Sequence, residues 1–495
     1  MNLRGRFEQE LDSRHRDHPD GLAIQFKSHP LTNADLREAL TLLRSMFTPL
    51  QGVRIVLLLP DCLEAYLLHL HFFLEGAVLI PISVQTVGSR IREICETVCA
   101  DFVVTNEFLF RAHGEELSRN GACLVIKGAI DGSSHRLHVE WIGKSSGFIR
   151  AATKSQELRD QEPVRFIIFT SGSTGTPKGV CLSEENVLSA ADMMVRFLPL
   201  DAATLSMVTV PIYDYYGMIQ IFGHVLGKGA YIFGLNSGMP THLLSTLAKV
   251  GCTDLVVVPH ALRVLLDSGE RSVRASFEKL KRVTSSSDML TQDILEKLFQ
   301  LSPHVEVVNI YGLTEAGRAC SRKIVYDTPF SRAIGKPSHG VEIAIEGDGR
   351  GEGEIIIRGP NVMLGYLAKV KAGRVEFEAY QELRTGDLGY RAENGEIMLL
   401  GRRDHMINLM GMKIHPSEIE MAASSLGVVD ARARVCECPG EGGRIHLDVV
   451  CTDPSITSER IISELRNRLP RPFVPRGVSF VKAIQRTELG SKIVR

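Results

Sequence analysis

An excess of charge of either sign is missing from this sequence: 57 Lys and Arg residues face 58 Asp and Glu residues, for a formal net charge of -1. Aromatic residues are scarce as well, at 6%. A neutral chain with few aromatics lacks the basic stripe and the stacking surface that nucleic acid or an anionic membrane would favour, so neither partner is expected. A local basic channel for phosphates stays open. No long uninterrupted apolar run occurs. The most apolar early stretch, VRIVLLLPDCLEAYLLHLHFFLEGAVLIPI, is broken by Pro60, Asp61, Glu64 and Glu75, and reads as strand–helix–strand rather than a membrane span. The opening MNLRGRFEQELDSRHRDHPDG is charged throughout and has no apolar core of a secretory leader. Ten cysteines are present, but the pairs Cys95/Cys99 and Cys436/Cys438 have no second half to complete a zinc site. Buried, reduced thiols in a cytoplasmic protein are the expectation.

What is present is an alternation. Short β-branched runs such as VRIVLLLP, ADFVVT, VRFIIFT, TDLVVVP and HVEVVNIYG end at Gly, Pro or polar residues. Helical periods such as CLEAYLLHLHFFLEG and TQDILEKLFQL lie between them. Such a pattern predicts an α/β architecture with largely parallel strands, and the length predicts more than one domain. From about residue 330 the chain becomes Gly-rich and strand-dense, which predicts an antiparallel β subdomain. A hinge-like GRRDH then leads into a small α+β domain. The expected division is residues 1–403 and 404–495.

The stretch FTSGSTGTPKGV, Phe169 to Val180, follows a strand and therefore sits where α/β sheets usually bind ligands. Gly172, Gly175 and Gly179 permit backbone conformations closed to other residues. Backbone N–H groups turned inward, hydroxyls from Thr170, Ser171, Ser173, Thr174 and Thr176, and the ammonium of Lys178 together suit a polyanion. A Walker loop requires Gly-Lys-Ser/Thr, whereas Pro177 precedes Lys178 and Gly179 follows it. A phosphate loop of another architecture is predicted.

This stretch resembles the signature of the AMP-forming adenylating superfamily, which contains acyl-CoA synthetases, adenylation domains of nonribosomal peptide synthetases, and luciferases. The resemblance runs nearly end to end, through NIYGLTEA (Asn309 to Ala316), GEIIIRGPNVMLGY (Gly353 to Tyr366), YQELRTGDLGY (Tyr380 to Tyr390), GRRDHMINLMGMKIHPSEIE (Gly401 to Glu420) and the terminal RTELGSKIVR. It implies a large N-terminal domain of two α/β sheet subdomains plus a β-rich subdomain, and a small mobile α+β C-terminal domain. No fused carrier domain is expected. The implied reaction joins a carboxylate to AMP, releases pyrophosphate, and passes the acyl group to a thiol of CoA or of a carrier protein's phosphopantetheine. ATP and Mg²⁺ are the implied cofactors, with a small carboxylic or amino acid as substrate.

The resemblance also implies roles. Thr170, Ser171, Ser173, Thr174 and Lys178 would hold the triphosphate, Tyr311 the adenine with Asn309 nearby, and Thr314 the α-phosphate. Glu315 would ligate Mg²⁺, and Asp387 and Arg402 would hold the ribose. Asp404 would be the hinge, Gly411 would line the thiol tunnel, and Lys492 would reach the carboxylate and α-phosphate during adenylation. On the residues alone, Glu315 also fits a buried structural glutamate, Asp387 a turn aspartate and Lys492 a solvated surface charge.

Departures from the family pattern bear on the substrate. SSSDML (Ser285 to Leu290) stands where glycines are usual, so Ser286 and Ser287 would narrow the acid pocket or add donors. Ser491 separates Gly490 from Lys492, either shifting the lysine or standing in for a glycine. In VPIYDYYGMIQ, Asp214 occupies a position that is His in many relatives. A carboxylate in a partly apolar pocket needs a cationic partner or a raised pKa, so Asp214 suits an amino-acid substrate, or else is bonded to protein donors. Tyr213, Tyr215 and Tyr216 add hydroxyl-bearing walls or core aromatics. Two further readings stay open: a stand-alone amino-acid-activating or acid–amine ligase, and a non-catalytic paralogue that binds nucleotide without turnover.

Overall fold

The computed structural model describes residues 2–47, 49–86, 88–119, 122–127, 139–142, 163–170, 178–235, 238–347, 351–371, 374–403, 407–409, 412–414, 416–438, 442–469 and 471–484. The chain divides into two compact units. One comprises residues 1–329, 337–342 and 358–383; the other comprises 330–336, 343–357 and 384–495. The boundary expected at 403/404 falls within the second unit, where residues 404–406 lie outside the described ones.

Two sheets form the first unit. In one, the strand order is Arg374–Ala379, Gly365–Lys371, Lys178–Ser183, Val164–Thr170, Val78–Pro81, Arg54–Leu58, Phe102–Asn106, Ala122–Ile126 and Val139–Ile142. Its central strands Val164–Thr170, Val78–Pro81, Arg54–Leu58 and Phe102–Asn106 are parallel, as the alternation predicts. The other sheet runs Gly317–Ile324, Glu306–Leu313, Arg282–Ser285, Asp254–Val257, Leu205–Val208, Ala230–Phe233, Leu22–Phe26 and His29–Thr32. The helix Leu63–Leu74 touches both sheets: Tyr66 packs on Tyr231 at 5.7 Å, and Phe72 on Phe102 at 6.4 Å. Its near-continuous apolar sequence follows from that position, since a helix covered on every side needs no polar face.

The first helix, Leu3–Asp17, is capped by the Asn2 side chain, which accepts from the Gly5 N–H at 2.8 Å. Arginines fasten it. Arg4 donates to the Leu74 carbonyl at 2.7 Å and pairs with Glu184 at 3.0 Å. Arg6 pairs with Asp192. Arg14, buried, donates to the His224 carbonyl at 3.0 Å and to Asn33 Oδ1 at 3.1 Å. Phe7 is fully buried against Phe73 and Phe222. Glu184 thus anchors the helix Leu3–Asp17.

The second unit carries strands in the order Glu342–Gly347, Glu352–Arg358, Leu383–Arg391, Ile397–Arg402 and Ala333–Pro337, in the strand-dense region the sequence marks as β-rich. A separate sheet of Asp430–Cys438, Gly442–Val450 and Gly477–Phe480 packs with helices Pro416–Ser424 and Ser458–Arg466 around Ile419, Ile445, Leu447, Ile461 and Phe473. Among the described residues no helix is long and apolar enough to cross a membrane. Cys95, Cys123, Cys181, Cys252 and Cys320 are buried and outside any disulfide.

Candidate active site

The strands Val164–Thr170 and Lys178–Ser183 lie on either side of residues 171–177, which are outside the described residues. The two strands pair antiparallel, with Thr170 directly opposite Lys178. Lys178 therefore stands on a strand at the foot of a hairpin. Gly179 sits in that strand without a positive φ, contrary to the expected loop role. Its need is space, because a Cβ there would lie 3.0 Å from Ile167 and 3.1 Å from Leu367. Directly after the strand, Ser183 and Asn186 form a reciprocal cap on the helix Glu184–Phe197.

Thr314 and Glu315 lie half-buried in the turn between the antiparallel strands Glu306–Leu313 and Gly317–Ile324. Gly312 and Gly317 make this turn possible. A Cβ on Gly312 would lie 1.6 Å from the Gly317 carbonyl oxygen, and Gly317 has φ +51°. Asn309 is buried and Tyr311 half-buried on the incoming strand, opposite Arg322 and Cys320. The segment Gly359–Tyr366 then fixes the turn. The Met363 N–H donates to the Glu315 carbonyl at 2.8 Å, and Asn361 donates to the Ala316 carbonyl. Asn186 in turn holds the carbonyls of Pro360 and Val362 at 2.8 and 2.7 Å.

Tyr366 links the two elements. It lies opposite Val180 in the sheet, its ring lies 4.8 Å beneath Lys178 Nζ, and its hydroxyl donates to Glu315 Oε1 at 2.9 Å. One phenol thus touches both the loop cation and the turn carboxylate. Sequence reasoning missed it, although Tyr366 closes the GEIIIRGPNVMLGY motif. The signal was a phenol at the end of a motif that otherwise consists of strand and turn residues.

Elsewhere in the same unit, Asp214 takes the N-cap position of helix Tyr215–Gly227 in extended conformation, half-buried, with no side-chain cap to the helix. Tyr213 is half-buried beside it. The Asp61 carboxylate accepts from the Ile212 N–H at 3.0 Å and so braces this loop; burial pushes Asp61 up to about 6. Tyr215 is buried, and the Tyr216 hydroxyl donates to the Thr284 carbonyl at 3.2 Å. Burial raises both phenols. Ser286 is buried and gives its proton to the Ile310 carbonyl at 3.0 Å. Ser287 is exposed, with φ +77°, a conformation that favours glycine.

In the second unit, Asp387 and Arg402 face each other across adjacent strands, with Arg402 Nη1 3.4 Å from Asp387 Oδ1 and 2.6 Å from the Thr385 carbonyl. The Thr385 hydroxyl donates to the Ile355 carbonyl at 2.7 Å and accepts from the Asp387 N–H at 3.0 Å. Glu354 accepts from the Gly386 N–H at 2.9 Å and from Arg403 at 2.7 Å. Asp387 is thus a buried carboxylate on a backbone fixed from several directions. Ser171, Ser173, Thr174, Asp404, Gly411 and Lys492 lie outside the described residues.

No group of three His, Cys, Asp or Glu side chains fit to hold a metal occurs among the described residues. Glu315 alone offers one hard carboxylate, which fits Mg²⁺, an ion commonly bound through one or two carboxylates plus substrate phosphates and water.

The family description AMP-binding enzyme matches residues 11–367. Over 90% of its length the chain is 25% identical to 4-coumarate–CoA ligase-like 6 of Arabidopsis thaliana, covering 80% of that protein. It is 26% identical to 2-succinylbenzoate–CoA ligase of Staphylococcus epidermidis, over 66% of this chain and 68% of that one. ATP-bound MatB from Rhodopseudomonas palustris shares the fold with a TM-score of 0.79 at 23% identity, over 99% of this chain and 97% of the other. That description covers most of the chain, from residue 11 to residue 367: the chain belongs to the AMP-binding enzyme family.

Proposed function

We propose that this chain is an ATP-dependent acid–thiol ligase that makes an acyl-adenylate and passes the acyl group to a thiol. The observation that carries the reading is the Lys178–Tyr366–Glu315 linkage, in which a loop cation and a hard carboxylate are tied to one phenol. A carboxylate attacks poorly at another anion, so adenylation needs positive charge arranged in advance around the phosphates. Thr170, Ser171, Ser173, Thr174 and Lys178 grip the triphosphate, and Thr314 bonds the α-phosphate. Mg²⁺, when bound at Glu315 with the nucleotide, supplies further positive charge to the phosphates. Tyr311 and Asn309 seat the adenine, while Asp387 and Arg402 seat the ribose. The acid's oxygen attacks the α-phosphorus and the bond to the β-phosphate breaks, releasing pyrophosphate; Lys492 steadies the developing charge. A thiol then adds to the acyl carbonyl and AMP leaves. Asp404 is the hinge between the half-reactions and Gly411 flanks the thiol.

CoA is the favoured acceptor, supported by the CoA-ligase names that both relatives carry. A carrier protein's phosphopantetheine offers the same thiol. An amino-acid substrate is the second reading, favoured by the half-buried Asp214 carboxylate at the start of the helix Tyr215–Gly227.

ATP–pyrophosphate exchange across aryl, fatty, dicarboxylic and amino acids, with hydroxylamine trapping of the adenylate, tests the reading. Some acid should support exchange, and Lys492→Ala should abolish it while leaving thioester formation from preformed adenylate. Exchange with no acid favours a nucleotide-binding paralogue. Near wild-type exchange by the Lys492 variant removes that lysine from the mechanism.

A further inference from the structure

Arg318 follows the Thr314–Ala316 turn by two residues, at the start of the strand Gly317–Ile324, and is buried at 4% exposure. Among the described residues its Nη1 has no hydrogen-bond partner. The ionisable groups acting on it are the phenols of Tyr216 and Tyr215, with no carboxylate among them. Burial pushes the guanidinium down to about 10, which leaves it protonated at neutral pH. The Tyr215 hydroxyl is also sealed from solvent without a partner, and it lies 2.4 Å from where a Cβ on Gly317 would stand. One turn beyond Tyr216, Gln220 Oε1 is buried and unpartnered as well.

A buried cation normally sits against a carboxylate or has its donors occupied, because the desolvation penalty is otherwise uncompensated. Here the unpaired guanidinium nitrogen belongs to a residue just after the turn of Thr314 and Glu315, and the unpaired phenol to the residue that follows Asp214. Resting on the adenylation reading above, we infer that Arg318 and Tyr215 read a second acidic group on the substrate, so that the acid activated is a dicarboxylic acid. Its reacting carboxylate faces the nucleotide, and its distal carboxylate accepts from Arg318 Nη1 and the Tyr215 hydroxyl. Arginine suits the task because its charge persists and its donors form a planar fork matched to a carboxylate. Tyr216, bonded to the Thr284 carbonyl, forms the neighbouring wall.

The test compares matched acids on the intact protein: succinate, glutarate and phthalate against butyrate, valerate and benzoate. Each acid is followed by ATP–pyrophosphate exchange and by calorimetric titration. In the wild type, the best diacid should exceed its monoacid partner by about 100-fold in exchange efficiency, the scale of hydrogen bonds to a buried charge. Arg318→Met should cut that ratio by about 100-fold and Arg318→Lys by less. Tyr215→Phe should cut it several-fold, and it keeps the question decidable where the Met variant does not fold. Wild-type preference for the monoacids, or an unchanged ratio in a folded Arg318→Met or Tyr215→Phe protein, overturns the inference. Should no acid support exchange, the adenylation reading fails. The titrations then decide separately: diacid binding that disappears with Arg318 sustains the anion site, and equal binding of diacids and monoacids overturns it.

Discussion

Tyr366→Phe isolates one bond in the proposed site. The substitution keeps the ring 4.8 Å beneath Lys178 Nζ and removes the hydroxyl that donates to Glu315 Oε1 at 2.9 Å. A hydrogen bond to a carboxylate contributes about 1.5–3 kcal/mol when well formed, and less where the acceptor is half-exposed, as Glu315 is. Taking about 1.4 kcal/mol as effective, adenylation should slow by about tenfold, and the Mg²⁺ concentration for half-maximal rate should rise because the carboxylate is no longer aimed. The KM for ATP at saturating Mg²⁺ should move little, since the ring still supports Lys178. Tyr366→Leu removes the ring as well, and with it a cation–π contact of about 0.5–2 kcal/mol, so KM for ATP should then rise about twofold to thirtyfold. The assay is pyrophosphate exchange over a Mg²⁺ titration at fixed ATP, with melting temperatures as the folding control. A Tyr366→Phe protein within twofold of wild type in both exchange rate and Mg²⁺ half-saturation would refute the linkage.

Three other outcomes are expected. Burial depresses His69, His71 and His224 from 6.5 to about 4, so these rings stay neutral in the fold while the unfolded chain takes up protons below pH 6.5. Stability should therefore be full above pH 6.5 and fall as pH drops toward 4, by on the order of 3 kcal/mol per histidine at the limit. Asp61, raised from 3.8 to about 6, acts the opposite way over pH 6 to 3.8 and offsets part of the loss. Urea midpoints at pH 7.5 and 5 check the net sign, and a higher midpoint at pH 5 contradicts it. Ser287→Gly should stabilise the protein by roughly 0.5–1 kcal/mol by relieving φ +77°, read as a higher denaturation midpoint; a lower midpoint argues that the serine side chain holds the loop. Asp387→Asn should raise the KM for ATP at least about tenfold, because the proposed ribose contact would lose its charge; an unchanged KM removes Asp387 from nucleotide binding.

Much of the fold could be read in the sequence because its signals are local. VRIVLLLP gives the strand Arg54–Leu58, and TQDILEKLFQL gives the helix Gln292–Leu301. The strand Arg282–Ser285 escapes such a reading. Its four residues are short and mixed, and the burial of Arg282 makes sense only beside Asp254, 2.8 Å away and 28 positions earlier. The same limit governs the site. Lys178, Thr314, Glu315, Asp387 and Arg402 stand in recognisable strings. Tyr366 gains meaning only when strand pairing sets it against Val180, and Arg318 only when its missing partner is seen. Ser286 looks like an available donor in sequence, yet its proton goes to Ile310, 24 residues away.

The helix Leu3–Asp17 has a consequence for biosynthesis. It is synthesised well before its seat, since the carbonyl that Arg14 grips belongs to His224 and the apolar seat of Phe7 includes Phe222. At roughly 5–20 residues per second, on the order of 10–40 s pass before that berth exists. During this interval an apolar ring and three arginines travel without their destination, so nascent-chain handling of this helix should influence yield more than its small size suggests.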